Sequence, residues 1–195
     1  MTATLTVCVY CGSRPGHSTA IRDAASDLGS AIGHLGWQLM YGGGRAGLMG
    51  LVADAALAAG ARVTGVIPES LMQRELGHPG LHDLQVVQTM HQRKRGMADR
   101  ADAFIALPGG IGTFEELFEV WSWRHLAYHD RPIGLLNVAG YYAPLLAILE
   151  RAVECGFMTH EQTAMVDVDD DPQRLLRALA TKAAQATAPD DLRRI

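Results

Sequence analysis

Short apolar runs alternate with longer amphipathic stretches along the whole chain, and that alternation predicts the fold class. Leu5–Tyr10, Trp37–Tyr41, Arg62–Ile67, Leu84–Val87, Ala103–Leu107 and Ile133–Asn137 are short, mostly apolar and read as strands. Between and after them, Thr19–Leu35, Gly47–Ala59, His91–Arg100, Thr113–Tyr128, Tyr142–Cys155 and Pro172–Lys182 read as helices. Strands that are apolar on both faces and separated by helices imply βαβ units and a parallel sheet covered on each side. Right-handed crossovers then give the expected fold: Rossmann-like, doubly wound α/β, a mostly parallel sheet with helices on both faces.

Residues 1–182 are expected to form a single nucleotide-binding α/β domain. The remainder, Ala183–Ile195 with Pro189-Asp190-Asp191, is polar and expected to be a flexible tail. Pro68–Asp83 has little periodicity, and a connection that long in a compact domain is usually functional.

A chain of 195 residues can bury its core without disulfides. Its net charge of −4 excludes a protein that coats nucleic acid, whose affinity needs a basic surface. The first ten residues lack the basic flank of a signal peptide, and no run reaches the roughly 18 apolar residues of a membrane span. The odd cysteine set, Cys8, Cys11 and Cys155, argues against a disulfide framework and for a reducing, cytoplasmic setting. Cys8-x-x-Cys11 has no second pair to complete a metal site, so it reads as buried thiols.

Ligands of open parallel sheets bind beyond the carboxyl ends of the strands. Three polar, Gly-rich segments fall there: Cys11-Gly12-Ser13-Arg14, Gly42-Gly43-Gly44 and Pro108-Gly109-Gly110-Ile111-Gly112-Thr113. Together they predict a nucleotide crevice, with Ser13, Gly43 and the 109–113 loop among its contacts. The last segment leads into a helix, so its free N–H groups form an anion site, with Glu115 and Glu116 close behind. Thr113-Phe-Glu-Glu116 also fits a capping box, in which Thr113 starts the helix and Glu116 reaches back to it. Three glycines before that cap favour close approach of a ligand to the backbone.

Gly42-x-Gly44-x-x-Gly47, with Glu69 further on, satisfies a dinucleotide fingerprint, but on the second βα unit and with its acid in a loop. Arg93-Lys94-Arg95 concentrates positive charge in an acidic chain, although most such clusters are solvated faces. Glu75 alone suggests no more than a salt bridge. His125-x-x-x-His129 places two imidazoles on one predicted helix face, without a third ligand, and no metal is expected. Leu117, Val120, Trp121, Trp123 and Leu126 make that helix apolar over much of its surface, as for a helix that is buried or packs on another subunit.

Met90-His-Gln-Arg93-Lys94-x-x-Met97 and Pro108-Gly-Gly-Ile-Gly-Thr-x-Glu-Glu116 resemble the signature of the LONELY GUY (LOG) family. These are cytokinin riboside 5′-monophosphate phosphoribohydrolases, often misnamed lysine decarboxylases. The resemblance runs from Val7 to about Thr159 and includes Cys11-Gly12-Ser13, Gly42-Gly43-Gly44-x-x-Gly47-Leu-Met-Gly50 and Gly134-Leu-Leu-Asn137-x-x-Gly140-Tyr-Tyr142. It implies a Rossmann-like homodimer, with active sites near the subunit interface, that hydrolyses the N-glycosidic bond of adenine-type nucleoside monophosphates. The implied catalytic pair is Arg93 and Glu116. Further implied substrate contacts are Glu75, Met90, Lys94, Gly109, Gly110, Ile111, Gly112, Thr113 and Ser122. Plant members usually carry threonine at the position of Ser122, and many relatives have alanine at Arg95.

On that reading Glu116 stabilises an oxocarbenium-like transition state and orients or deprotonates water. Glu75 holds ribose hydroxyls or base, the 5′-phosphate sits on Gly110, Gly112 and Thr113, and Arg93 orients either Glu116 or the nucleotide. No cofactor is required. A pyridoxal-dependent decarboxylase would need a Schiff-base lysine, and the chain has only Lys94 and Lys182 to offer. The alternatives are a non-catalytic nucleotide-binding module, such as a sensor or molybdenum-cofactor carrier, and, more remotely, a dinucleotide binder.

Overall fold

The computed structural model describes residues 4–186. Seven strands, all parallel, form one sheet in the order β4-β3-β2-β1-β5-β6-β7. They are β1 (Thr6–Tyr10), β2 (Gln38–Tyr41), β3 (Arg62–Pro68), β4 (Asp83–Val87), β5 (Ala103–Ala106), β6 (Ile133–Leu136) and β7 (Val166–Asp169). The helices are α1 (Thr19–His34), α2 (Gly47–Ala58), α3 (Met90–Ala98), α4 (Ile111–His125), α5 (Ala143–Glu154), α6 (His160–Thr163) and α7 (Pro172–Ala183).

Period-two alternation along the central strands divides the core in two. Val7 and Val9 of β1 turn towards a cluster shared with α1, α2 and α7; Cys8 and Tyr10 turn towards one shared with α3, α4 and α5. β5 repeats the division, Ala103 and Ile105 against Phe104 and Ala106. Because both faces are covered, β5 is buried throughout and β1 from Val7 onward. Cys8 and Cys11 are buried free thiols; burial pushes both well above the usual thiol range.

The doubly wound expectation holds, with three corrections. β7 and α6 lie in the stretch 156–171, which the periodicity left unassigned; Val-Asp-Val-Asp is an edge strand, half-exposed and alternately acidic. α4 begins at Ile111 with Gly110 as its N-cap, so Thr113 is inside the first turn and the expected capping box with Glu116 does not form. Such boxes are instead made by Thr89 with Gln92 and by Thr159 with Gln162. The helix also ends at His125, which places His129 beyond it, buried and bonded through Nε2 to the Val120 carbonyl at 3.0 Å. The two histidines therefore share no helix face. Of the expected tail, Ala183 closes α7, and residues 187–195 lie outside the described residues.

Candidate active site

From β1 the chain winds out through β2, β3 and β4, and from β5 it winds the other way, so the connections leaving β1 and β5 diverge. Such a switch point opens a crevice beyond the strand ends. Here it is a cavity of about 650 Å³, lined by the loops after β1 and β5, by Gly42 after β2 and by the β3–β4 connection.

One wall is the Pro108–Thr113 loop. Leu107 N–H bonds the Tyr10 carbonyl and Gly12 N–H bonds the Pro108 carbonyl, which lays the β1 loop directly against the β5 loop. Gly109 is forced by its neighbours: a Cβ there would stand 2.0 Å from Thr113 Oγ1 and 2.9 Å from Gly12 N. Gly110 and Gly112 are different, since nothing lies within 4 Å of where their Cβ atoms would be and neither has a positive φ. Protein packing does not demand glycine at these two positions; their lack of a side chain leaves open space in front of the backbone. No side chain caps α4, so its leading amides face this space, where helix dipole and N–H groups favour an anion. Tyr141 closes the wall, stacking on Phe114 and donating from Oη to the Gly109 carbonyl.

Opposite stands a pinned arginine. Arg93 on α3 is 5% exposed, so the solvated-face explanation fails. Its Nη2 donates to the Gly42 carbonyl at 2.8 Å and to Glu75 Oε2 at 2.9 Å, and Nε donates to the Val66 carbonyl at 3.2 Å. Glu75 arrives on the long β3–β4 connection, which is held by Arg45 and Ala46 amides on the Glu75 carbonyl and by the His78 amide on the Gly43 carbonyl. His78 is buried and also bonds Asp54 through Nε2 at 3.0 Å. The expected salt bridge of Glu75 thus exists, but inside the cavity rather than on the surface.

Between these walls projects Glu116, half-buried, in the second turn of α4. Its carboxylate accepts no hydrogen bond from any described residue. Burial pushes its pKa up to about 7; Arg93 pulls it down, while Glu115 and Glu75 push it further up. A carboxyl poised near neutrality beside an open anion site can exchange a proton with water at the pH of a cell.

Of the residues singled out by sequence, the cavity brings together Ser13, Glu75, Met90, Arg93, Gly109, Gly110, Ile111, Gly112, Thr113 and Glu116. Three do not line it. Gly43 has φ +77° and packs beneath the loop against Leu84 and Ile67. Lys94 Nζ is held by Glu115 at 2.5 Å and Glu119 at 2.8 Å, tying α3 to α4. Burial works against its charge, but the bonds to these carboxylates prevail and hold it above the usual lysine range. Ser122 is exposed on the outer side of α4. The dinucleotide fingerprint is likewise spent on packing: a Cβ on Gly44 would stand 2.7 Å from Met49 Cε and one on Gly47 would stand 2.4 Å from Arg14 N. Arg14, Arg74 and Tyr141 also line the cavity; Arg14 and Tyr141 lie in segments that the sequence marks without singling them out as contacts, and Arg74 reaches the cavity only through tertiary contact.

A family model described as possible lysine decarboxylase matches residues 49–179. The probable cytokinin riboside 5′-monophosphate phosphoribohydrolase LOGL2 of Oryza sativa subsp. japonica is 46% identical over 92% of this chain and 73% of its own. The cytokinin riboside 5′-monophosphate phosphoribohydrolase LOG1 of Arabidopsis thaliana is 50% identical over 78% of this chain and 72% of its own. The chain belongs to the LOG family. Among solved structures, the molybdenum cofactor carrier protein of Chlamydomonas reinhardtii matches with a TM-score of 0.69 at 19% identity, over 93% of this chain and 99% of that one. The molybdenum cofactor binding protein of Rippkaea orientalis also gives 0.69 at 19% identity, covering 93% and 98%. At that identity the likeness is one of fold. The decarboxylase description implies pyridoxal phosphate, which this LOG chain does not fit. Lys94 is bound by two glutamates and Lys182 by Asp167 beside β7, and neither lysine lines the cavity.

Proposed function

We propose that the protein hydrolyses the N-glycosidic bond of adenosine 5′-monophosphates, N6-substituted or plain, to free base and ribose 5-phosphate. Residues 1–182 act as one nucleotide-binding domain. The observation that carries the reading is a carboxyl with a pKa of about 7, Glu116, on the helix whose uncapped N-terminus faces the same cavity. The phosphate sits on the amides around Gly110, Gly112 and Thr113, with Ser13, Gly109 and Ile111 shaping its surroundings. That places ribose between the amides and Glu116.

Water attacks C1′ as the C1′–N bond breaks; its electron pair leaves with the purine, which takes up a proton. Glu116 stabilises the positive charge building on the ribose ring and accepts the proton of the attacking water. Glu75 accepts hydrogen bonds from ribose hydroxyls or base, and Met90 contacts the base. Arg93, fixed by Gly42, Val66 and Glu75, keeps Glu75 in place and favours the ionised form of Glu116 through its charge. Binding energy from the remote phosphate presses the reacting carbon against the carboxylate, so free nucleosides react poorly. No cofactor takes part.

The working form is a cytoplasmic homodimer. α4 and its C-cap residue expose Ile111, Glu115, Phe118, Ser122 and Leu126 in one stripe at helical spacing, with Ile111 84% and Leu126 57% exposed. A second copy packed on this stripe covers the apolar side chains, brings Ser122 to an interface and puts the Lys94–Glu115 pair beside it. No helix among the described residues is long and apolar enough to cross a membrane.

The test is incubation of purified protein with AMP and N6-isopentenyl-AMP, followed by chromatography. Free base and ribose 5-phosphate in equal amounts support the reading; return of intact nucleotide shows a binding module instead.

A further inference from the structure

The cradle at the start of α4 is surrounded by acid. Glu75, Glu115 and Glu116 line the same cavity, and the basic residues of the Arg93-Lys94 motif are already committed: Arg93 to Glu75, Lys94 to Glu115 and Glu119. A phosphate monoester carrying nearly two negative charges therefore meets a wall whose fixed cations are neutralised. Helix amides alone offset that field only in part.

Arg14 is placed to supply the missing charge. It follows β1 in the loop that lies against the β5 loop: Gly12 N–H bonds the Pro108 carbonyl at 3.2 Å, and a Cβ on Gly12 would stand 3.3 Å from Gly109 Cα. Its backbone is seated on Gly47, and Leu48 N–H bonds the Gly12 carbonyl at 3.0 Å, so the loop rests on α2 as well. Arg14 lines the cavity together with Gly110–Thr113, and its side chain makes no ion pair or hydrogen bond with any described residue. Arg74 also lines the cavity, but from the β3–β4 connection, and β2 and β1 separate β3 from β5. We propose that Arg14, rather than Lys94, is the cation that binds the 5′-phosphate and sets the preference for nucleotide over nucleoside. The inference rests on the hydrolase reading for its substrate, but not for its binding test.

Arg14 is exposed, so its replacement leaves the core intact. Base release from AMP and from adenosine is compared for wild type, Arg14→Gln and Arg14→Lys. Loss of a charge-assisted contact lowers the AMP-to-adenosine ratio of kcat/KM by about 10- to 100-fold in Arg14→Gln, with partial recovery in Arg14→Lys. An unchanged ratio overturns the assignment. Calorimetric titration with ribose 5-phosphate decides the matter independently of turnover. A comparable loss of affinity in Arg14→Gln supports the assignment, and wild-type affinity overturns it. Should wild type bind ribose 5-phosphate yet release no base, the hydrolase reading falls and the titration still judges Arg14.

Discussion

The guanidinium of Arg93 and the carboxylate of Glu75 meet at 2.9 Å inside the cavity, and Gly42 makes the meeting possible. A Cβ at position 42 would stand 2.2 Å from Arg93 Nη2 and 3.3 Å from Met49 Sδ. The arginine tip is flexible in principle, but three hydrogen bonds and burial hold it. Gly42→Ala is therefore expected to expel the guanidinium, leave Glu75 unpaired and cost roughly 1–3 kcal/mol of stability. AMP hydrolysis should fall at least about 100-fold, as for loss of an acid–base or charge-stabilising group. Thermal unfolding and steady-state kinetics check both; wild-type turnover in a folded Gly42→Ala protein refutes the role given to this pair.

In the proposed mechanism Glu116 couples pH to both activity and stability. Its pKa is about 7 in the folded protein against an ordinary 4.5, so folding favours its protonated form. Below pH 4.5 both states hold the proton and the group is neutral in effect. As pH rises from 4.5 to 7, ionisation of the unfolded chain erodes stability, and above 7 the penalty is constant. Glu116→Gln removes that penalty, so the variant should be more stable than wild type by roughly 1–3 kcal/mol above pH 7 and no more stable near pH 4. Its kcat should fall by about 10²–10⁴-fold. In wild type, kcat/KM should climb with pH and level off above an inflection near 7. Denaturation at several pH values and a pH–rate profile test this; a profile flat from pH 5 to 9 rules out the carboxylate as base.

On the proposed reading, the glycines of the Gly109–Gly112 loop should separate folding from binding. Gly112 lies in the first turn of α4 with nothing within 4 Å of a Cβ and no positive φ. Gly112→Ala should stabilise the protein by about 0.5–1 kcal/mol, since alanine loses less chain entropy in a helix. The same methyl occupies the space in front of the amides, so KM for AMP should rise about tenfold or more, the effect of losing one charge-assisted contact. Gly109→Ala should do the opposite and unfold the loop, because its Cβ would stand 2.0 Å from Thr113 Oγ1. Melting curves with Michaelis constants distinguish the two; a Gly112→Ala variant with unchanged KM would empty the cradle of its assigned role.

Much of this was legible because the fold obeys short-range rules. The central strands are buried on both faces and so read as unbroken apolar runs; the edge strand Val166–Asp169 is half-exposed and alternates with aspartates, so it read as loop. The Gly-rich loop, the basic motif and the paired glutamates each advertised a site locally. What local pattern could not give was partnership. Glu75 gains meaning from an arginine 18 positions away and Arg93 from a glycine 51 positions away. Thr113 looked like a helix cap, yet Gly110 caps the helix three residues earlier without a side chain. Lys94 looked like a ligand group in sequence, and two carboxylates on α4 claim it.

The stripe on α4 carries the last prediction. Phe118 is 42% exposed and stacks on Trp121 at a ring distance of 5.9 Å, which presents the rest of its ring to solvent. Apolar patches of this kind mark interaction surfaces in soluble proteins. If a second copy covers it, Phe118→Arg places a charge in the middle of the contact. The equilibrium should then shift to monomer by about 100-fold or more in Kd, from the loss of one buried aromatic anchor. Sedimentation equilibrium measures the shift, and AMP hydrolysis under the same conditions shows whether the active site depends on it. Ser122, one turn further along the stripe, sharpens the inference. Were Phe118→Arg monomeric but fully active, Ser122 could not be a substrate contact delivered by a partner, and each cavity would be complete within one chain. A dimeric Phe118→Arg protein would move the interface off α4 altogether.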